Sequence, residues 1–382
     1  MQSPGTPVGD PRADTMSNMR SPSQPTSPSN GKSPVDTTKT THRNLQINIA
    51  VESLVSDIGM TYTIERAIGK GGYGIVYAVF DADMNYFALK TERSSAVATE
   101  IAVLKATAAN KCNHFAKLHD KGYSEALKQG FIVMDILGPS LSEIKNLCDD
   151  HRLTPPTALR VAMQTLNAIE EIHECNYISR DVKPSNFVTS AKPGHCSLIY
   201  MIDFGIAKRY RDELTGEIIP ERVKGGFRGT ARYCSINNHY KKDQSRRDDV
   251  ESWLYLCSEL FNGRLLWHKL GRGERTQILE YKKSARNVNL IPFLGNLPKK
   301  FGTVMRSNDR LRFSGRPDYA MAYAVLEAEL TILEIPYDAP YDWENFALFS
   351  TQPPSTSTPP HSSKTQSTPQ RSDPVVDTQE ET

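Results

Sequence analysis

The run Ser179-Arg180-Asp181-Val182-Lys183-Pro184-Ser185-Asn186, followed at Ile199-Tyr200-Met201-Ile202 by a strand-like stretch leading into Asp203-Phe204-Gly205, decides how the chain is read. It sets an aspartate, a lysine two residues on and an asparagine five residues on, and then delivers a second aspartate. One carboxylate can accept a hydroxyl proton, the lysine can neutralise a developing anion, and Asn186 and Asp203 offer oxygens to a hard cation. These are the groups that handling a metal-bound polyphosphate requires, because that chemistry depends on positioning and charge neutralisation more than on a strong nucleophile. An Asp-Phe-Gly triplet alone carries little weight; following R-D-x-K-x-x-N, it carries much.

Upstream lies Gly69-Lys70-Gly71-Gly72-Tyr73-Gly74-Ile75-Val76. Glycines let a backbone approach a polyphosphate and present N–H donors to it. Dinucleotide-binding folds share the G-x-G-x-x-G spacing, but there the loop opens a helix. Here Ile75–Phe80 is β-branched and aromatic, so strand–loop–strand is predicted. In Phe87-Ala88-Leu89-Lys90 a strand carries a lysine suited to the α- and β-phosphates. Taken singly, the first segment is equally well a bare turn and the second a solvated strand edge. Their order ahead of the two aspartates removes the coincidence. Glu100 is the predicted ion-pair partner of Lys90 on the following helix, with Glu92 as the fallback.

Strands are predicted at Tyr62–Gly69, Gly74–Phe80, Tyr86–Thr91 and Gly130–Ile136, and a helix at Ala96–Ala106. From Thr154 the period changes. Leu159, Ala162, Met163, Leu166, Ile169 and Ile172 form a helical stripe, with Thr154 as N-cap and Pro155 in the first turn. Strands first and helices after predict an α+β, bilobal molecule with a small β-rich N-lobe (about 60–137), a larger α-helical C-lobe (about 138–346) and a ligand cleft between them.

Residues 1–46 and 349–382 are rich in Ser, Thr and Pro and read as disordered tails around a 47–348 body. Ser3, Thr6, Ser21, Ser27, Ser33, Thr358 and Thr368 precede prolines there, as the composition alone makes common. With 46 basic and 44 acidic residues, the net charge of +2 implies no bulk attraction to nucleic acid or membrane. Six scattered cysteines contain no C-x-x-C pair, which argues against a zinc site and a secreted disulfide framework. No apolar run reaches the roughly 20 residues of a membrane span, and the polar N-terminus predicts no signal peptide. A soluble protein of the cytoplasm or nucleus is expected.

With these motifs in place, the body resembles the casein kinase 1 superfamily of protein kinases, and within it the tau-tubulin kinase branch and the related set expanded in nematodes. Met134-Asp135-Ile136-Leu137-Gly138-Pro139-Ser140-Leu141 is similar to that family's hinge. Gly226 to Asn237 resembles its activation-segment end, with Ser235-Ile236-Asn237 where A-P-E is usual. Ser245-Arg246-Arg247-Asp248-Asp249-Val250-Glu251-Ser252 resembles the start of its long buried helix, and Tyr341-Asp342-Trp343-Glu344 the close of the domain. The resemblance covers roughly 60–346. It implies transfer of the γ-phosphate of Mg-ATP to Ser or Thr of protein substrates, with Asp181, Lys183 and Lys90 catalytic. It implies nucleotide contacts from Ile68, Gly69, Lys70, Gly71, Gly72, Gly74, Val76, Ala88, Lys90, Glu100, Met134 as gatekeeper, Asp135, Leu137, Asn186 and Asp203. Asn186 and Asp203 would hold magnesium, and Asp249 would brace the catalytic loop. It further implies a monomer acting on substrates that are acidic or already phosphorylated, met by some of Arg222, Lys224, Arg228, Arg232, Lys241, Lys242, Arg246 and Arg247. Others of these would pair with Asp243, Asp248 and Glu251.

Two features depart from the family pattern. Ser179 stands where the catalytic loop usually has histidine, and the stretch between Lys90 and Glu100 is short. The short stretch bears on the placing of Glu100; Ser179 supports the alternative reading, a nucleotide-binding pseudokinase scaffold. His114, His119, His151 and His173 share no metal spacing and are read as structural.

Overall fold

The computed structural model describes residues 52–346 apart from 72–73, 192–195, 272 and 345. Both proposed tails, and Gly72 of the glycine loop, lie outside the described residues.

The first part of the chain is a sheet backed by one helix: β1 (Ser53–Val55), β2 (Thr61–Lys70), β3 (Gly74–Phe80), β4 (Tyr86–Glu92), α1 (Ser94–Ala109), β5 (Leu118–Ser124) and β6 (Gln129–Met134). The strand order is β1-β2-β3-β4-β6-β5. Alternation along the strands sorts the side chains. Leu54, Tyr62, Tyr77, Val79, Leu89, Phe131 and Val133 form a small core on one face, while Ala88 and Val97 belong to the main core on the other. Ala88, Lys90 and Glu92 therefore share the face turned towards α1, by the period of two. The turn between β2 and β3 demands glycine at Gly74, where a Cβ would fall 1.7 Å from the Thr91 carbonyl oxygen of the neighbouring strand. Gly69 has ordinary room for a Cβ, at 3.6 Å from Val76, so packing within the protein does not require glycine there.

The second part is mainly helical. After β7 (Leu137–Ser140) come α2 (Leu141–Leu147), α3 (Pro155–Glu174), β8 (Tyr177–Ile178), β9 (Phe187–Ser190), β10 (Ile199–Met201), β11 (Lys208–Arg209), α4 (Ile236–His239), α5 (Arg246–Asn262), α6 (Arg275–Ser284), α7 (Leu290–Leu294), α8 (Phe301–Asp309) and α9 (Tyr319–Ile332). Its centre is α5, buried along nearly its whole length. Trp253, on that helix, stacks on Phe301 with centroids 5.6 Å apart. The structure thus has the β-rich N-lobe and helical C-lobe that the order of elements predicts.

Thr154 does precede the first turn of α3, but it does not cap it through its own side chain. Its amide and hydroxyl both donate to the Asp342 carboxylate, at 2.7 and 2.5 Å, and Thr157 Oγ1 donates to the same group at 2.7 Å. A carboxylate 188 residues away in sequence does the capping and ties the close of the domain to α3. Arg160 reinforces the tie, lying 4.0 Å over the Tyr341 ring and donating to the carbonyls of Tyr337, Ala339 and Pro340.

Candidate active site

Strand β4 delivers Lys90 and α1 delivers Glu100. Although the connection is short, α1 begins two residues after β4 ends and brings Glu100 onto the lysine. Lys90 Nζ donates to Glu100 Oε2 at 2.6 Å and to Asp203 Oδ1 at 2.9 Å, and Glu92 Oε2 lies 3.4 Å away. Burial pushes the ammonium pKa down, but the three carboxylates outweigh it and hold it above the usual lysine range. Asp203 moves oppositely: burial raises its pKa, and Lys90 more than offsets this, leaving it below the usual carboxylate value.

The antiparallel hairpin β9–β10 aligns Phe187 with Met201, and the Ile202 amide donates to the Asn186 carbonyl at 3.0 Å. Asn186 and Asp203 are thereby set at the same end of one hairpin. Asp203 has φ +70° and Arg180 φ +66°, left-handed values that cost a non-glycine residue about 1–3 kcal/mol and persist only when neighbours over-determine them. Lys90 holds the first. Arg180 is held through its amide, which donates to Asp249 Oδ1 at 2.8 Å, and through Nε, which donates to the Ile206 carbonyl at 2.7 Å.

Asp181 sits among donors. Lys183 Nζ approaches its Oδ2 at 2.5 Å, Thr230 Oγ1 donates to its Oδ1 at 2.8 Å, and Asn186 Nδ2 donates to its carbonyl oxygen at 2.9 Å. Gly229 beside it has φ +95°, and a Cβ there would lie 2.3 Å from the Arg180 carbonyl oxygen. The activation segment can reach Asp181 only through glycine at that point. Thr230 is a site residue that the sequence motifs do not single out, since a threonine 49 positions away carries no local mark of it.

Ser179 is 1 % exposed. Its amide donates to Asp249 Oδ2 at 2.7 Å, and its hydroxyl accepts from the Asp181 amide at 3.4 Å. His173 Nε2 meets the same Asp249 oxygen at 2.9 Å. Phe204 is buried against Phe115, with centroids 5.5 Å apart. At the hinge, Met134 is buried and pairs with Ala88 across β4 and β6. The Asp135 amide donates to the Lys117 carbonyl at 3.2 Å, and its carboxylate meets the Lys117 amide and His119. The Asp135 side chain and N–H are thus committed to the strand side.

Several of the basic residues are structural. Arg222 and Lys208 converge on the buried Asp243 carboxylate, both at 2.7 Å. Arg246 donates to the Ser314 carbonyl, Arg247 to that of Leu311 and Arg232 to that of His268. Lys224, Arg228, Lys241 and Lys242 are exposed. Beneath the segment, the fully buried Lys282 donates to the carbonyls of Ala231 at 2.9 Å and Cys234 at 2.5 Å, and lies 3.2 Å from His239 Nε2. Burial, Lys282 and Arg275 hold the His239 pKa down at about 4, below its ordinary 6.5. The unfolded chain therefore binds more protons than the native one between these values. The neutral imidazole's contribution to the fold is fully present above about pH 6.5 and is lost as pH falls towards 4. Glutamine accepts the same hydrogen bond without titrating. In thermal melts from pH 7 to pH 5, His239→Gln is therefore expected to lose less stability than the wild type.

A two-lobed α+β fold whose cleft gathers a lysine and two aspartates from separate elements defines a class of phosphate-handling proteins. A model of the protein kinase domain matches residues 62–308, and the chain belongs to the protein kinase family. It is 32 % identical over 303 residues to a probable serine/threonine-protein kinase of Dictyostelium discoideum, covering 78 % of this chain and 59 % of that one. It is 31 % identical over 290 residues to serine/threonine-protein kinase spe-6 of Caenorhabditis elegans, covering 74 % and 76 %. Casein kinase I homolog RAG8 of Kluyveromyces lactis is 32 % identical over 301 residues, covering 75 % and 54 %. The chain thus spans somewhat over half the length of the Dictyostelium and Kluyveromyces relatives. Among the described residues, no helix is long and apolar enough to cross a membrane.

Proposed function

We propose that this chain is an active serine/threonine protein kinase of casein kinase 1 type, transferring the γ-phosphate of Mg-ATP to protein hydroxyls. The observation that carries the proposal is the convergence, from five separate segments, of Lys90, Glu100 and Asp203 with Asp181, Lys183, Asn186 and Thr230. The residues fit the nucleotide and its metal. Asp203 is held ionised near neutral pH, Asn186 adds an oxygen donor of the kind magnesium takes, and Lys90 stays cationic. Asn186 and Asp203 would hold magnesium, which would supply charge neutralisation at the phosphates. The rest falls to the chain. Lys90 orients the phosphates, Asp181 accepts the hydroxyl proton, and Lys183 offsets charge on the transferred group. Thr230 holds Asp181 in place.

The casein kinase 1 assignment is supported by how Ser235-Ile236-Asn237 is used; the tau-tubulin kinase-like branch within it is proposed on sequence resemblance alone. Ser235 Oγ donates to Asp248 at 2.6 Å, Asn237 Nδ2 reaches the same oxygen at 3.1 Å, and the Ile236 amide donates to Glu251 at 2.9 Å. The S-I-N turn is thus locked onto the R-R-D-D helix, which joins the two signatures into one device. The exposed Lys224, Arg228, Lys241 and Lys242 favour acidic or phosphorylated substrates by charge.

The scaffold alternative rests on Ser179 alone. Incubation with labelled Mg-ATP and casein or a phosphopeptide is expected to give incorporation that a chelator abolishes. Nucleotide binding without incorporation would leave only the scaffold.

A further inference from the structure

Glu92 has no part in the mechanism above, yet it is 1 % exposed and neither of its carboxylate oxygens has a hydrogen-bond partner. A buried carboxylate that makes an ion pair but no hydrogen bond calls for an explanation. Its surroundings supply one. Glu92 and Lys90 are two residues apart on one strand and share a face. Glu92 Oε2 is 3.4 Å from Lys90 Nζ. An ammonium has three N–H donors, and two of those on Lys90 go to Glu100 and Asp203. Glu92 is the third carboxylate within reach, and with Glu100 and Asp203 it brings its oxygens within 4.8 Å of one another. It also abuts the Asp-Phe-Gly turn, since a Cβ on Gly205 would fall 2.9 Å from its Oε1.

We propose that Glu92 is a positioning residue for Lys90, a second counter-ion on the lysine's own strand that shares with Glu100 the task of holding the ammonium in the cleft. The two partners differ in what fixes them. Glu100 is carried by α1, so its contact depends on where that helix sits. Glu92 is fixed by the sheet, paired with Gly74 on one side and Gly130 on the other. The Lys90–Glu92 pair is therefore independent of the helix. Were Asp203 engaged by a metal, the N–H it accepts from Lys90 would be left to the nucleotide phosphates, and Glu92, 3.4 Å from Nζ, would remain as the acidic neighbour on the lysine's own strand. Loss of either glutamate leaves the other to hold the lysine; loss of both leaves its charge unsupported.

The inference rests on the phosphotransfer reading, and a double-mutant cycle separates the two. Glu92→Gln, Glu100→Gln and the double variant are compared with wild type for Mg-ADP affinity by calorimetry and for kcat and KM(ATP), with thermal melts to establish folding. Each single change is expected to weaken nucleotide affinity and kcat/KM about three- to tenfold. The double change is expected to weaken them at least tenfold beyond the product of the singles. Multiplicative effects overturn the proposal, as does Glu92→Gln without effect in either background. A Glu92→Gln as severe as the double variant overturns it too, since Glu100 would then share nothing. Should Glu92→Gln fail to fold, Glu92→Asp, which keeps the charge but shortens its reach, takes its place in the cycle. A wild type that binds Mg-ADP but transfers no phosphate refutes the kinase reading and leaves the cycle readable in affinity. One that binds no nucleotide refutes both.

Discussion

Asp181→Asn is expected to lower kcat about a thousandfold, within the range that a positioned general base supplies, while Mg-ADP affinity stays near that of the wild type. The expectation follows from what Asp181 touches. Lys183, Thr230 and Asn186 surround it, and neither Lys90 nor Asp203, two of the groups assigned to the nucleotide and its metal, is hydrogen-bonded or ion-paired to it, while the Asn186 amide keeps its bond to the Asp181 carbonyl. The amide keeps the shape and one acceptor but cannot take a proton, and it turns an NH2 towards Lys183 or Thr230. Asp203→Asn should behave differently, losing nucleotide affinity and turnover together, because it removes the charge facing Lys90. Ser179→His should change kcat far less than either, since Ser179 contributes its backbone to Asp249 and its hydroxyl only a 3.4 Å contact. Steady-state kinetics with calorimetry on the three variants checks the pattern. Equal losses of kcat in Ser179→His and Asp181→Asn would show that position 179 takes part in the chemistry.

The site was legible where its residues are neighbours in sequence. Asp181, Lys183 and Asn186 lie within six positions, and Asp203 follows from one strand. Lys90 is legible from its apolar strand and its place after the glycine loop, and Glu100 as the acidic residue of the helix that follows. What the sequence hid depends on contacts that spacing does not encode. Thr230 reaches Asp181 only because Gly229 admits the backbone. Asp342 caps α3 from the far end of the domain, so the hydroxyl of Thr154 points away from the role its position suggested. For the basic run near the activation segment the sequence leaves a substrate-binding face and pairing within the fold equally open; Arg222, Arg232, Arg246 and Arg247 are bound to a carboxylate or to carbonyls of the fold. Charge in a sequence does not say whether its partner is internal. From the sequence Glu92 reads as the fallback for Glu100; only the fold shows both beside Lys90, at 3.4 and 2.6 Å.

Asp249→Asn is expected to be the most damaging single change outside the catalytic groups, costing about 3 kcal/mol of stability and much of the activity. The Asp249 carboxylate is buried at the start of α5 and accepts three hydrogen bonds, from the Ser179 and Arg180 amides at 2.7 and 2.8 Å and from His173 Nε2 at 2.9 Å. Two of these fix the backbone immediately before Asp181, including the left-handed turn at Arg180. Asparagine offers one oxygen and one NH2 in the same place, so at least one buried N–H is left facing a donor, and each such group costs about 1–3 kcal/mol. The strain at Arg180, of about 1–3 kcal/mol, then loses one of the contacts that hold it. Asp181 would sample positions away from Lys183 and Thr230, and kcat should fall with little change in KM for ATP, because Lys90 and Glu100 lie on other elements. Denaturant melts would read the stability and single-turnover kinetics the rate. A variant as stable as the wild type would show that Asp249 is not what anchors the catalytic loop.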